Sequence, residues 1–320
     1  MRAIRVHNFG GPENLVLEEA VEPRAGAGQV IVRIHAAGVN PVDTYIRGGA
    51  HAVKPDLPYT PGIDGAGSVV AVGRDVTRFV PGDRVYVSGA QAGTYAETIA
   101  CAESQAYRLP AAVSFEQGAA IGVPYVTAFR ALFQIARAVP GESVLVHGAS
   151  GGTGTATVQL AHAAGLTVIG TAGTEAGRAL VREQGASHAL DHNDPGLEKQ
   201  VMELTGGRGV DVVVEMLANR NLGVDLRLVA RHGRIVVVGS RGPVEINPRD
   251  AMVREASILG TFLFGMSAAE LSSAHAALQA ALGNGTVRPV VGRSLPLAQA
   301  REAHELVLQP GAAGKIVLLP

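Results

Sequence analysis

Ala149, Gly151 and Gly154 stand in an A-x-G-x-x-G spacing, directly after the apolar run ESVLVHG and directly before the helical stretch TATVQLAHAAG. Small residues there let the chain turn sharply. Gly151 lets backbone amides approach a pyrophosphate, and Gly154 lets a helix press on the strand. With the partial positive charge of a helix N-terminus, this is the chemistry of a dinucleotide phosphate cradle, lined by Ser150, Gly151, Gly152 and Thr153. The same residues also spell G-x-S-x-G, Gly148 to Gly152, the elbow on which α/β-hydrolases hold a nucleophilic serine. That rival needs a later acid and histidine, Asp211 with His232 or Asp225 with His304, and leaves Gly154 without a task. The cradle is the stronger reading, with Ser150 hydrogen-bonding a phosphate.

A cradle for NAD would be followed, about 20 residues on, by a carboxylate for the ribose hydroxyls. Here Ile169 to Thr174 reads IGTAGT and carries none. A 2′-phosphate meets no repulsion there, and Arg178 or His192 can pair with it, so NADPH is expected over NADH. Glu175 is read as a first-turn helix carboxylate. His188 and His192 lie four apart without a third ligand and are read as solvated or cofactor-contacting histidines rather than a metal pair.

The elements that must position these residues change character along the chain. Up to about Leu109, short β-type runs (QVIVRIHAAGVN, GAGSVVAVG, GDRVYVSGA, TYAETIA) are separated by Gly, Pro, Asn and Asp, which reads as an all-β unit. Phe115 to Ala136 has helical spacing interrupted by Pro124, a broken helix or two helices. From Glu142, continuous apolar runs (ESVLVHG, LTVIGTA, GVDVVVEM, GRIVVVGS, SILGTF) alternate with helical stretches, the pattern of a parallel sheet covered on both faces. SAAELSSAHAALQAALGNG is a helix ended by Gly283 and Gly285, and GKIVLLP is a final strand.

Composition limits the partners. The chain has 320 residues, a formal charge of -1, 6 Tyr, 7 Phe and no Trp, so stacking rings are scarce and the net charge supplies no basic surface for nucleic acid. Nucleic acid is an unexpected partner. The single cysteine, Cys101, excludes an intrachain disulfide and a Cys-rich zinc site, and fits a cytoplasmic protein. No apolar stretch approaches a membrane span.

With both halves read, the chain resembles the medium-chain dehydrogenase/reductase superfamily, in its zinc-free quinone oxidoreductase branch of the zeta-crystallin type. The motifs run end to end: FGGPENL, AAGVNPVDTYIRGG, LPYTPGIDGAGSVVAVG, GDRVY, QGAAIGVPYVTAFRAL, VHGASGGTGTATVQLA, TAGTEAG, EMLAN, GRIVVVGSRGPVEINPRD and GKIVLLP. The resemblance implies an α/β protein. A GroES-like β-rich catalytic domain would use residues 1–122 and 265–320, and a Rossmann doubly wound parallel sheet would span 123–264, with the active site in the cleft.

It also implies site residues. Asn40 and Tyr45 would be catalytic, beside the nicotinamide. Tyr45, Thr127, Ser150 to Gly154, Gly173, His192, Asn221, Val238, Gly239, Ser240, Arg241, Thr261, Phe262 and Leu263 would bind the cofactor, joined by Arg178. The zinc-dependent cousins hold their metal where this chain has Asn40, Ile63 (with Asp64 in place of the glutamate) and about Val123, so no zinc and no flavin are expected. Without a Lewis acid, an electron-poor quinone or conjugated carbonyl is the expected substrate, with enone or enal double-bond reduction as the nearest alternative. The apolar run SILGTFLF, Ser257 to Phe264, suggests an open sheet edge, and the resemblance implies a homodimer or homotetramer.

Overall fold

The computed structural model describes residues 1–311 and 313–320. The chain forms two compact units, one of Met1–Val123 with Gln279–Pro320 and the other of Pro124–Leu278. In chain order the first unit begins with β1 (Arg2–Arg5), β2 (Val16–Glu19), β3 (Gln29–Val39), α1 (Pro41–Arg47), β4 (Asp64–Val72), β5 (Arg84–Val87), β6 (Thr98–Ala102), β7 (Ala106–Arg108), α2 (Phe115–Gly118) and the start of α3 (Gly122–Phe129). The second continues with β8 (Ser143–Val146), α4 (Gly152–Ala163), β9 (Thr167–Thr171), α5 (Glu175–Glu183), β10 (His188–Leu190), α6 (Leu197–Leu204), β11 (Val210–Glu215), α7 (Ala218–Leu228), β12 (Val229–Val237), α8 (Pro248–Arg254), β13 (Ser257–Gly260) and most of α9 (Ala268–Gly283). The first unit is completed by β14 (Val291–Pro296), α10 (Ala300–Leu306) and β15 (Lys315–Leu319).

The second unit is built on a six-stranded sheet in the order β10-β9-β8-β11-β12-β13, with every pair parallel. This is the doubly wound arrangement in which ligands bind beyond the carboxyl ends of the strands, at the switch between the first and fourth strands in chain order, here β8 and β11. Burial on both faces explains the unbroken apolar runs: all four residues of β8 are buried, as are five of the six in β11. Leu145, Val213, Leu226, Leu228 and Ile235 lie in the core on one side of the sheet.

The first unit carries a seven-stranded sheet, with six strands in the order β14-β15-β3-β4-β5-β7 and β6 paired to β3 off that path, and a separate β1-β2 ribbon. The two chain ends meet in this sheet, where Ile316, Val317 and Leu318 of β15 pair antiparallel with Val39, Gly38 and Ala37. Its core includes Val30, Val32, Ile34, Val85, Tyr95 and Leu318.

Some local readings change. The β-type stretch contains a helix, α1, started by Pro41 at its first position and by Asp43 Oδ2, which accepts the Asn40 amide at 2.8 Å. The interruption in 115–136 falls before Pro124, which sits in the first turn of α3 where a missing N–H costs nothing. Arg130–Ile135 then widens into a π-helical turn. The second unit extends past Phe264 because the first turn of α9 is tied back to that turn: Arg130 Nη1 lies 2.9 Å from Glu270 Oε1, and Gln134 Nε2 donates to Glu270 O at 3.0 Å.

Candidate active site

The chain turns sharply after β8. Gly148 has φ 57°, a conformation suited to glycine, and Gly151 then caps α4 from an extended backbone. A Cβ on Gly154 would lie 2.2 Å from Gly148 O and 2.6 Å from Ala149 Cα, so only hydrogen lets α4 sit this close to the turn. The first-turn amides of α4 have no intrahelical acceptor, and no acidic residue occupies that turn, which leaves an anion-ready N-terminus.

The other residues expected at the cofactor gather at the same end of the sheet. Gly173 and Thr174 follow β9, His192 follows β10, Asn221 lies in the first turn of α7 after β11, Val238 to Arg241 follow β12, and Thr261 to Leu263 follow β13. Gly173 abuts His192, whose Nε2 a Cβ at Gly173 would approach to 2.6 Å. Gly239 passes Met216 O so closely that a Cβ would lie 2.6 Å away. Thr127, on α3, is buried, and the buried Thr261 Oγ1 has no hydrogen-bond partner.

Arg178 is more committed than its sequence position suggests. Its guanidinium lies 2.8 Å from both Glu175 Oε2 and Asp191 Oδ2 and also donates to Ala172 O. Thr174 Oγ1 caps α5 by accepting the Gly177 amide at 3.0 Å. The end of β9 itself carries no carboxylate, but Asp191 reaches the neighbourhood from beyond β10.

In the first unit, Asn40 and Tyr45 stand at opposite ends of a mostly buried helix. Asn40 is buried and its amide is engaged on both sides, Nδ2 donating to Asp64 Oδ2 at 2.9 Å and Oδ1 accepting from Lys315 Nζ. Lys315 Nζ also lies 3.2 Å from Asp64 Oδ2, and the Val123 amide donates to both oxygens of Asp64, at 2.9 and 3.0 Å. Room for the group comes from glycine: a Cβ on Gly122 would lie 2.1 Å from Asp64 Oδ1, and one on Gly38 would lie 2.9 Å from Lys315 Cε.

Asp43 extends this cluster. It accepts from Tyr95 OH at 3.1 Å, and Tyr95 meets His304 Nε2 at 3.2 Å. Burial pushes the Asp43 carboxyl up to about 7 against the opposing pull of the Asn40 amide and Lys315. Burial also lowers the Lys315 ammonium, with Asp64 and Asp43 opposing. Tyr45 is half-buried, and its hydroxyl has no hydrogen-bond partner among the described residues.

Residues 26–111 match the model of the alcohol dehydrogenase GroES-like domain, and 152–281 match that of the zinc-binding dehydrogenases. A quinone oxidoreductase of Rattus norvegicus is 50% identical over 321 residues, covering 100% of this chain and 98% of that protein. The chain belongs to the quinone oxidoreductase branch of the medium-chain dehydrogenase/reductases. Among solved structures, an NAD-dependent alcohol dehydrogenase matches with a TM-score of 0.93 at 32% identity, and Escherichia coli quinone oxidoreductase complexed with NADPH with 0.90 at 30%, each covering 100% of both chains.

This quinone oxidoreductase family member does not form the hydrolase couples. Asp211 is held by Arg208 and by Ser143 Oγ at 2.8 Å, while His232 pairs with Glu255. Asp225 bonds His147, and His304 meets Tyr95. Of the residues around Asp64, sequence reading had singled out Asn40 but not Lys315. The available signal was a lysine opening the apolar strand GKIVLLP, a position that has to be buried if the strand pairs centrally.

Proposed function

We propose that this oxidoreductase uses NADPH to reduce quinones or related conjugated carbonyls, without zinc or flavin, as a cytoplasmic homo-oligomer. The observation that carries the cofactor reading is the convergence of Ser150 to Gly154, Gly173, His192, Asn221, Val238 to Arg241 and Thr261 to Leu263 at the carboxyl ends of one parallel sheet. The free amides of α4 would hold the pyrophosphate, with Ser150 beside them, and the absence of a carboxylate at the end of β9 favours the 2′-phosphate. Bound NADPH supplies the reducing equivalents.

The zinc-free reading rests on ligand chemistry. Of the positions matching the cousins' ligands, Asn40 and Ile63 offer an amide and an alkyl group, and Val123 offers its backbone amide to Asp64. None supplies the thiolate or imidazole of a zinc site, and the cation placed there is the Lys315 ammonium. A substrate that is already electron-poor needs only hydrogen-bond support at its oxygen. Tyr45 is the group assigned to that contact, because its hydroxyl is uncommitted. Asn40, with both ends of its amide engaged, holds the start of the helix that carries Tyr45.

The open edge strand β13 supports the oligomeric reading, with Ile258 exposed there and Phe262 and Phe264 exposed just beyond it. Among the described residues no helix is long and apolar enough to cross a membrane. Tyr45→Phe tests the assignment of the substrate contact: it should lower kcat for quinone about tenfold or more, equal to about 1.4 kcal/mol, a larger loss than any weakening of NADPH binding. An unchanged kcat removes Tyr45 from the chemistry.

A further inference from the structure

Beneath the cradle, three titratable side chains meet where the parallel sheet ends. His147 follows β8, Glu215 is the last residue of β11, and Asp225 comes from α7. All three are buried, Glu215 and Asp225 completely. One atom of each side chain lies within 4.8 Å of the others. His147 Nε2 is 2.8 Å from Asp225 Oδ1 and 3.6 Å from Glu215 Oε2, and its Nδ1 faces Thr171 Oγ1 at 3.5 Å. Glu215 Oε1 accepts from the Leu217 amide and from Asn221 Nδ2, the latter at 3.1 Å. The remaining oxygens, Glu215 Oε2 and Asp225 Oδ2, have neither solvent nor a hydrogen-bond partner.

Two ionised carboxylates beside one imidazole would leave uncompensated charge in a dry interior, which is strongly unfavourable. A proton on Glu215 removes it: imidazolium, one carboxylate and one neutral acid sum to zero, and an orphaned acceptor becomes a donor towards Asp225. We infer that Glu215 and Asp225 share one proton beside His147, and that this neutral triad is a positioning device that holds Asn221 in place at the cofactor cradle. The second half rests on the cofactor reading above.

The connections explain how such a device acts. The backbone oxygen of Glu215 accepts the Val238 and Gly239 amides at 2.8 and 3.2 Å, and Ala218 N donates to Gly239 O at 2.9 Å. Glu215 thus joins the turn after β11 to the turn after β12, and its side chain fixes Asn221 between them. Burial pushes the Glu215 carboxyl up to about 7, with the charge of His147 opposing and Asp225 adding to the rise. Desolvation alone would lower the His147 imidazole, but Asp225 and Glu215 outweigh it and raise it. Among the described residues the only charged groups acting on His147 and Glu215 are the members of the triad themselves, and His147 acts in turn on His192, which also feels Asp191, Arg178 and Arg220. If the proton leaves, Glu215 and Asp225 repel one another and the hold on Asn221 loosens.

The experiment compares NADPH binding by calorimetry from about pH 6 to 9 in wild type, Glu215→Gln and Glu215→Ala, with circular dichroism melts to confirm folding. Gln supplies the same acceptor to Leu217 and Asn221 and a permanent donor towards Asp225, so it mimics the protonated acid. Its affinity should stay within about twofold of the wild type at pH 6 and remain flat, the wild type should weaken about fivefold or more above pH 7, and Ala should be about tenfold weaker throughout. Gln as weak as Ala, or a wild-type affinity that parallels Gln across the range, overturns the proposal.

A second readout needs no cofactor. The infrared carbonyl stretch of an un-ionised carboxyl at pH 6 should be present in the ligand-free wild type and diminished in Glu215→Gln. A wild type that binds NADPH but whose band is undiminished in Glu215→Gln overturns the shared proton alone, since the buried Asp43 carboxyl, also raised to about 7, contributes equally to both proteins. One that shows the band but binds no NADPH overturns the positioning role together with the cofactor reading. One equivalent of metal that is lost on Asp225→Asn would show that a cation rather than a proton bridges the carboxyls, and would overturn the proposal.

Discussion

Lys315 Nζ lies 3.2 Å from Asp64 Oδ2 in the interior of the first unit, and the Asn40 amide is bonded to both partners. A cation from the last strand therefore compensates an acid from the fourth, and one consequence is energetic. Lys315→Met leaves Asp64 buried without its counter-charge and should cost about 3–5 kcal/mol in denaturant unfolding. Adding Asp64→Asn to that variant should recover part of the loss. An unchanged unfolding midpoint in the single variant would contradict the pairing.

Two glycines at the start of α4 should fail differently. A Cβ at Gly154 meets backbone atoms of Gly148 and Ala149, so Gly154→Val should lower stability by about 3 kcal/mol or more. Gly151 sits in extended backbone that any residue adopts, so Gly151→Val should fold and melt like the wild type while losing NADPH binding. Equal effects of the two on melting temperature would show that the glycine turn is only structural.

Buried histidines set an acid limb of stability. Burial, aided by the charge of Arg47, holds the His304 imidazole down to about 3, below its unfolded value of about 6.5. The unfolded chain binds the extra proton below pH 6.5, so this contribution is complete above that pH and is lost as the pH falls towards 3, at about 1.4 kcal/mol per unit. Asp43 and Glu215, both raised to about 7, act in the opposite sense: they favour the fold below the usual carboxylate range and lose that advantage as the pH rises through 7. The clean observable is a difference. The melting-temperature gap between wild type and His304→Asn should be widest near pH 7 and shrink towards pH 4; a constant gap would refute it.

Assembly can be tested at one amide. Thr261 N already donates to Val237 O within the chain, so alternation along the strand turns the Ile258 amide to the open edge. Ile258→Pro should weaken the proposed dimer without breaking the β12–β13 ladder, read as a drop in mass by light scattering at micromolar concentration. A wild type of single-chain mass under those conditions would remove the dimer.

The parallel sheet was legible because strands buried on both faces must be apolar throughout, and ESVLVHG, GVDVVVEM and GRIVVVGS could be little else. The glycine turn was legible because each small residue has a steric task. The short strand His188–Leu190 and the helix at Pro41 were missed: three residues carry no periodicity, and a seven-residue helix is lost among β-branched neighbours. The burial of Asn40 and the commitment of Arg178 were not legible either. They depend on Lys315, 275 residues away from Asn40, and on Asp191, 13 residues past Arg178 and just beyond β10, separations over which spacing says nothing.

The most direct test of the account is NADPH oxidation by the purified protein with a panel of ortho-quinones, para-quinones and enones, before and after exhaustive dialysis against a chelator. The account predicts quinone-dependent oxidation that survives dialysis unchanged, with NADPH bound about tenfold more tightly than NADH, about 1.4 kcal/mol. Activity that disappears with the chelator and returns with zinc, or no NADPH oxidation with any of these acceptors, would contradict it.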